Sequence, residues 1–156
     1  MLTTQPNIDK AWIEAHIPHQ GGMCLLEHVT NWNEQSISCS ATSHQLTNNP
    51  LRYREQLSTA CGVEYAAQAM AVHGALLTST DQKNPRAGFL LSIRGTTVHH
   101  PRLDNIKQAL TIEATRIHSS ESSILYTFTL YATDDLLLEG RAAVMLNTES
   151  LLRAPT

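Results

Sequence analysis

The chain has 156 residues, 42% hydrophobic and 16% charged, with 11 basic against 14 acidic side chains and a formal charge of −3. That length suits one domain of about 100–150 residues, and the composition excludes disorder, so a single core over 1–156 is expected. Lys and Arg are too few to neutralise a nucleic-acid backbone, no apolar run of ~18 residues predicts a membrane span, and three cysteines without CxxC spacing suit a reducing, cytoplasmic compartment.

Asp9 to Ala15 reads as a short opening helix with Trp12 and Ile13 as its apolar contacts, stopped by Pro18. After Gly21-Gly22, Cys24 to Trp32 and Gln35 to Thr42 read as strands; in the second, Ile37, Cys39 and Ala41 alternate with Ser36, Ser38 and Ser40, and Asn33-Glu34 marks a hairpin. Ser43 to Leu57, carrying Asn48, Asn49 and Pro50, is an irregular connection long enough to suggest function.

Ser58 to Leu77 reads as a helix capped by Ser58 or Thr59, with six alanines plus Val63, Met70, Val72, Leu76 and Leu77. At ~100° per residue its apolar side chains fall on every side, and Glu64 and Gln68 form the only polar pair, on a stripe that Ala71 and Ala75 continue. No solvent face is expected. A helix apolar all round belongs in a core, and a sheet wrapped around it is the way one domain buries it. Four strands follow over Ala87–Val98, Gln108–Ile117, Ser123–Ala132 and Leu138–Leu146, then a polar tail around Pro155. Ser119-Ser120 and Asp134-Asp135 mark hairpin turns, and Pro101 to Asn105 a longer connection. The class is α+β, in the order α-β-β-α-β-β-β-β.

Glu64, one turn into an apolar helix, is the strongest candidate for chemistry. Burial there would disfavour its charged form and make it a general acid; the structural alternative is an outward carboxylate or one paired to an arginine. Gln68 could hold that carboxyl group or a substrate oxygen, or make a plain structural hydrogen bond. His19, in Ile17-Pro18-His19-Gln20-Gly21-Gly22-Met23, is a base able to titrate at neutral pH, against the alternative of a surface or packing histidine. Backbone N–H groups around Ala60, Cys61 and Gly62 could hold an oxyanion, with Gly62 allowing close approach; a glycine needed for packing is the alternative. Cys61 reads as a small hydrophobe more than a nucleophile. His99-His100 lacks a ligand pattern, so no metal is expected. Arg52, Arg54, Arg86, Arg94 and Arg102 could meet phosphates at a rim or simply be solvated.

Three stretches carry a resemblance that spans nearly the whole chain: Ile17 to Val29, Gly62 to Ala71 (Gly-Val-Glu-Tyr-Ala-Ala-Gln-Ala-Met-Ala), and Phe89-Leu90-Leu91-Ser92-Ile93-Arg94. With the order of elements they resemble the hotdog-fold 3-hydroxyacyl-[acyl carrier protein] dehydratases, most closely the divergent dehydratase subunits of aryl polyene biosynthesis. That resemblance implies dehydration of 3-hydroxyacyl thioesters to trans-2-enoyl thioesters, with His19 and Glu64 catalytic; the reading of the helix residues themselves adds Gln68, Cys61 and Gly62 at the substrate. It implies an acyl carrier protein presenting substrate on phosphopantetheine, an apolar tunnel for the acyl chain, and no cofactor or metal. It also implies pairing with a second copy or a related hotdog subunit through a sheet edge, the histidine and glutamate meeting across the boundary.

The chain departs from the ordinary dehydratases where they carry a His-Phe-Pro-Gly type segment before the helix. Here that region reads Ser43-His44-Gln45-Leu46-Thr47-Asn48-Asn49-Pro50-Leu51, which leaves His44 as an alternative base to His19. Hotdog thioester hydrolysis and a non-catalytic partner role are the competing functions.

Overall fold

The computed structural model describes residues 8–19, 21–79 and 88–146. Arg86 and the tail around Pro155 lie outside them. Two-residue β1 (Ile8–Asp9) leads into α1 (Lys10–His16), whose first turn is capped by the Asp9 carboxylate accepting from the Trp12 N–H at 3.0 Å. Strands β2 (His28–Trp32), β3 (Ser36–Ala41), β4 (Gly88–Val98), β5 (Leu110–Ser119), β6 (Ser123–Ala132) and β7 (Asp135–Leu146) join β1 in one antiparallel sheet of order β1-β2-β3-β5-β6-β7-β4. Helix α2 (Gly62–Ser79) enters through a 3-10 turn at Thr59–Cys61 and packs on β3, β4, β5 and β6. The α+β class and the sheet curved around one long helix are as the sequence implies.

Alternation explains the sheet's inner face. Ile37, Cys39 and Ala41 on β3, Leu110, Ile112 and Ala114 on β5, and Ile124, Tyr126, Phe128, Leu130 and Ala132 on β6 are all buried. Three expectations are corrected. First, residues 24–27 are not strand: they precede β2, and their backbone is held by partners other than a full ladder. Second, β7 starts at Asp135 rather than Leu138, because the tight turn at Thr133-Asp134 lets the ladder begin with Ala132 opposite Asp135.

Third, α2 is not enclosed on all sides. Tyr65, Ala66, Gln68, Ala69, Val72, His73 and Leu76 are buried, while Glu64, Ala67, Ala71, Gly74, Ala75 and Thr78 form a partly exposed seam of mostly small residues. Gln68 leaves the stripe the sequence assigned it and faces the core. No helix among the described residues is long and apolar enough to cross a membrane.

Candidate functional site

Glu64 lies in the first turn of α2, at the end of the seam. His19 lies in the connection between α1 and β2, where Pro18 and the 3-10 turn Gly21–Met23 turn the chain back toward α2. The two meet within one chain: His19 Nε2 is 3.3 Å from Glu64 Oε1. This corrects the expectation that they meet across a subunit boundary. Burial is corrected too, since the side chains are 28% and 37% exposed. The carboxyl group is therefore not sequestered by its own chain. His19 Nδ1 is enclosed and has no hydrogen-bond partner among the described residues, and Nε2 is the nitrogen that faces the carboxyl group.

His44 is placed differently. It is fully buried, and its Nε2–H donates to the carbonyls of Ile106 (3.1 Å) and Gln108 (3.0 Å), fixing the 43–57 connection to the segment before β5. Burial lowers its pKa, against the opposing pull of those two carbonyls. Its bonded nitrogen is a structural anchor, and the geometry gives the carboxylate partner to His19.

Gln68 spends its amide on backbone. Its Oε1 accepts the Leu25 N–H and its Nε2 donates to the Met23 carbonyl, each at 2.8 Å. Nearby, Ser43 Oγ donates to the Leu25 carbonyl (2.7 Å) and accepts from the Tyr65 hydroxyl (2.8 Å), which Asn49 Nδ2 also approaches at 3.1 Å. Sequence reasoning missed Ser43, Asn49 and Tyr65. Only the polar character of the 43–57 connection hinted at them.

At the start of α2 the expected oxyanion donors are already engaged. The Ala60 N–H is bonded to Ser58 Oγ at 3.2 Å, the Cys61 N–H to the Ser58 carbonyl at 3.0 Å, and the Gly62 N–H to the carbonyls of Ala60 and Thr59. A Cβ on Gly62 would sit 2.7 Å from Leu130 Cδ2 and 2.8 Å from Leu138 Cδ2, so the closeness that glycine allows is taken by the core. The Cys61 thiol faces the Leu51 carbonyl at 3.9 Å, and burial pushes its pKa up, the reverse of a nucleophile's need.

The other candidates are occupied elsewhere. His99 Nε2 is 2.8 Å from Glu139 Oε2, and His100 Nδ1–H donates to the Arg102 carbonyl at 2.8 Å. Arg102 pairs with Asp104 and, through that hydrogen bond foremost, holds its carboxyl down to about 2; Asp104 in turn accepts the Leu57 N–H. Arg52 donates to the carbonyls of Glu55 and His44. A cleft of about 630 Å³, lined by Trp32, Glu34, Leu77, Arg116 and His118 among others, lies at the end of α2 away from Glu64 and does not contain the pair.

The comparisons agree with this architecture. A family model described as ApeP-like, ApeP dehydratase, matches residues 11–153. No curated protein matches the chain. Among solved structures, the dehydratase heterocomplex ApeI:P from Xenorhabdus doucetiae is similar at 21% identity and TM-score 0.78, over 91% of this chain and 97% of that one. A mutant of thioesterase PA1618 from Pseudomonas aeruginosa is similar at 13% identity and TM-score 0.63, over 88% and 93%. Thioesterase HI1161 from Haemophilus influenzae follows at 14% identity and TM-score 0.58, over 83% and 82%. These likenesses are of fold, the hotdog.

Proposed function

Because the chain belongs to the ApeP-like dehydratase family, we propose that it removes water from a 3-hydroxyacyl thioester carried on the phosphopantetheine arm of an acyl carrier protein, giving the trans-2-enoyl thioester. The observation that carries the reading is the 3.3 Å approach of His19 Nε2 to Glu64 Oε1 in a single chain. Dehydration needs a base for the α-proton and an acid for the departing hydroxyl, and this pair supplies both.

With His19 neutral and Glu64 protonated, Nε2 takes the proton from the α-carbon, the C–H electron pair becomes the new double bond, and the C–O bond breaks as Glu64 protonates the leaving oxygen. Water departs. The products are an imidazolium and a carboxylate, and a proton passed back across the short gap restores both groups. Excluding water keeps solvent from competing for the protons that pass between the pair and the substrate.

Each of the two residues is about a third exposed, so their own chain leaves that exclusion unfinished. We propose that a second, related hotdog subunit completes it by covering the α2 seam and forming the acyl tunnel. The small residues of the seam, which let another backbone come close, support this, as does the heterocomplex that the similar Xenorhabdus protein forms.

The test is incubation with a 3-hydroxyacyl-[acyl carrier protein], alone and with the related subunit, following enoyl absorbance and free thiol together. Enoyl product without thiol release is expected. Thiol release without enoyl product would replace dehydration with hydrolysis, and product formed equally well by variants lacking both side chains would assign this chain a non-catalytic role. Glu64→Gln and His19→Ala should each lower kcat by about 10²-fold or more, the range expected for loss of a positioned acid or base.

A further inference from the structure

His19 sits on a stretch that has little regular structure of its own. Between α1 and β2, among the described residues, the 3-10 turn Gly21–Met23 and its closing bond from the Cys24 N–H to the Gly21 carbonyl are what organises the backbone internally. A connection that loose does not by itself hold an imidazole 3.3 Å from a carboxylate. The constraint comes from outside, and it is concentrated at Met23 and Leu25. Gln68 grips the Met23 carbonyl and the Leu25 N–H, and Ser43 takes the Leu25 carbonyl.

All three polar backbone groups are therefore bonded to two side chains, and Gln68 is fully buried, where amide hydrogen bonds are geometrically strict and costly to leave unmade. Gln68 also stands one helical turn beyond Glu64 on the same rigid element. One helix thus carries the acid and the side chain that holds the base's segment, so the separation between acid and base is set by a short, stiff path.

We infer that Gln68, supported by Ser43, is a positioning residue that fixes His19 against Glu64 and makes no contact with substrate. Its kinetic readout rests on the dehydration proposed above. Tyr65 belongs to the same device, because its hydroxyl donates to Ser43 Oγ and so orients the Ser43 proton toward Leu25.

Two variants test this. Gln68→Met keeps the length of the side chain and removes both of its hydrogen bonds; Ser43→Ala removes the third bond at a less enclosed position. Each is measured for kcat and KM in the assembled enzyme, and for the rate at which diethyl pyrocarbonate modifies His19, read by mass spectrometry with His99 as internal control. Gln68→Met is expected to lower kcat by about tenfold or more with KM within about twofold, since misplacement by an ångström has effects of that order. His19 should be modified several times faster than in the unaltered protein, with His99 unchanged. Ser43→Ala should move both readouts the same way by smaller factors.

A raised KM at unchanged kcat would make Gln68 a substrate contact and overturn the inference, as would a folded Gln68→Met protein with unaltered kcat and unaltered His19 labelling. Should Gln68→Met fail to fold, Ser43→Ala decides on the same two readouts, and no change in either overturns the inference. If the unaltered assembly turns over no 3-hydroxyacyl thioester, dehydration is rejected, while His19 labelling still decides the positioning role.

Discussion

At Gly62 the room a side chain would need is already filled. Its φ of −60° is one any residue adopts, so the glycine is required for space and not for conformation. The Leu130 and Leu138 methyls that crowd the position belong to β6 and β7, which means that glycine lets the start of α2 settle onto the sheet. Gly62→Ala should therefore destabilise the protein by roughly 1–3 kcal/mol, the usual cost of overpacking a filled core. A urea titration checks it, and an unchanged midpoint would show that the leucines move aside freely. Activity should fall with it, because Glu64 is two residues along the displaced turn. This role was legible in part: the sequence offered ligand approach or packing for Gly62, and only the leucine methyls from strands some seventy residues away choose packing.

On the scale of elements, legibility tracked the range of the forces involved. Strand β6 could be read from its own residues, because Ile124, Tyr126, Phe128 and Leu130 are buried by the same alternation that identifies them. Cys24, Leu25 and Leu26 carry similar apolar side chains but are not strand, since the Leu25 backbone groups are taken by Gln68 and Ser43, 43 and 18 positions away. Local pattern holds no trace of such partners. The same holds for the helix histidine the sequence reading passed over. His73 is fully buried between α2 and the sheet; its Nδ1 accepts from the Tyr126 hydroxyl and its Nε2–H donates to the Asn33 carbonyl, both at 2.7 Å. Burial foremost lowers the His73 pKa, as it does for His44, and pushes the Tyr126 hydroxyl up.

A pH dependence follows from these two histidines. Their folded-state pKa values lie below the unfolded value of about 6.5, so the unfolded chain binds protons first. Stability should be at its plateau above about pH 6.5 and decline as pH falls through that value toward the lower folded pKa values. Urea midpoints between pH 5 and 8 measure it. His73→Gln, destabilised overall by loss of its bonds, should show a shallower decline across that range, and an equally steep one would remove His73 as a source.

For the molecule as a whole, the question is why a helix with so little polar surface is left partly uncovered. The sheet encloses one side of α2, and the side that remains carries Ala67, Ala71, Gly74, Ala75 and Thr78, ending at Glu64. Large side chains would have filled that space within the chain; small ones leave a shallow, mostly apolar strip that favours close approach by another element. If a related subunit covers the strip, the same contact that buries the alanines removes water from His19 and Glu64, and assembly and proton chemistry become one event. The sequence showed the helix's lack of a polar face and misread its consequence, because an uncovered apolar face and a fully enclosed one have the same composition. Ala71 lies about 10 Å along the helix from Glu64, far enough to leave the pair untouched. Ala71→Arg should leave the isolated chain folded, with circular dichroism unchanged and stability within about 1 kcal/mol, since the site is already partly exposed and arginine is a good helix former. It should prevent association with the partner, seen as a smaller species in sedimentation, and lower dehydration by the factor that separates the mixture from the chain alone. Full association and activity in that variant would place the partner on another face and leave the exposed seam without the role assigned to it.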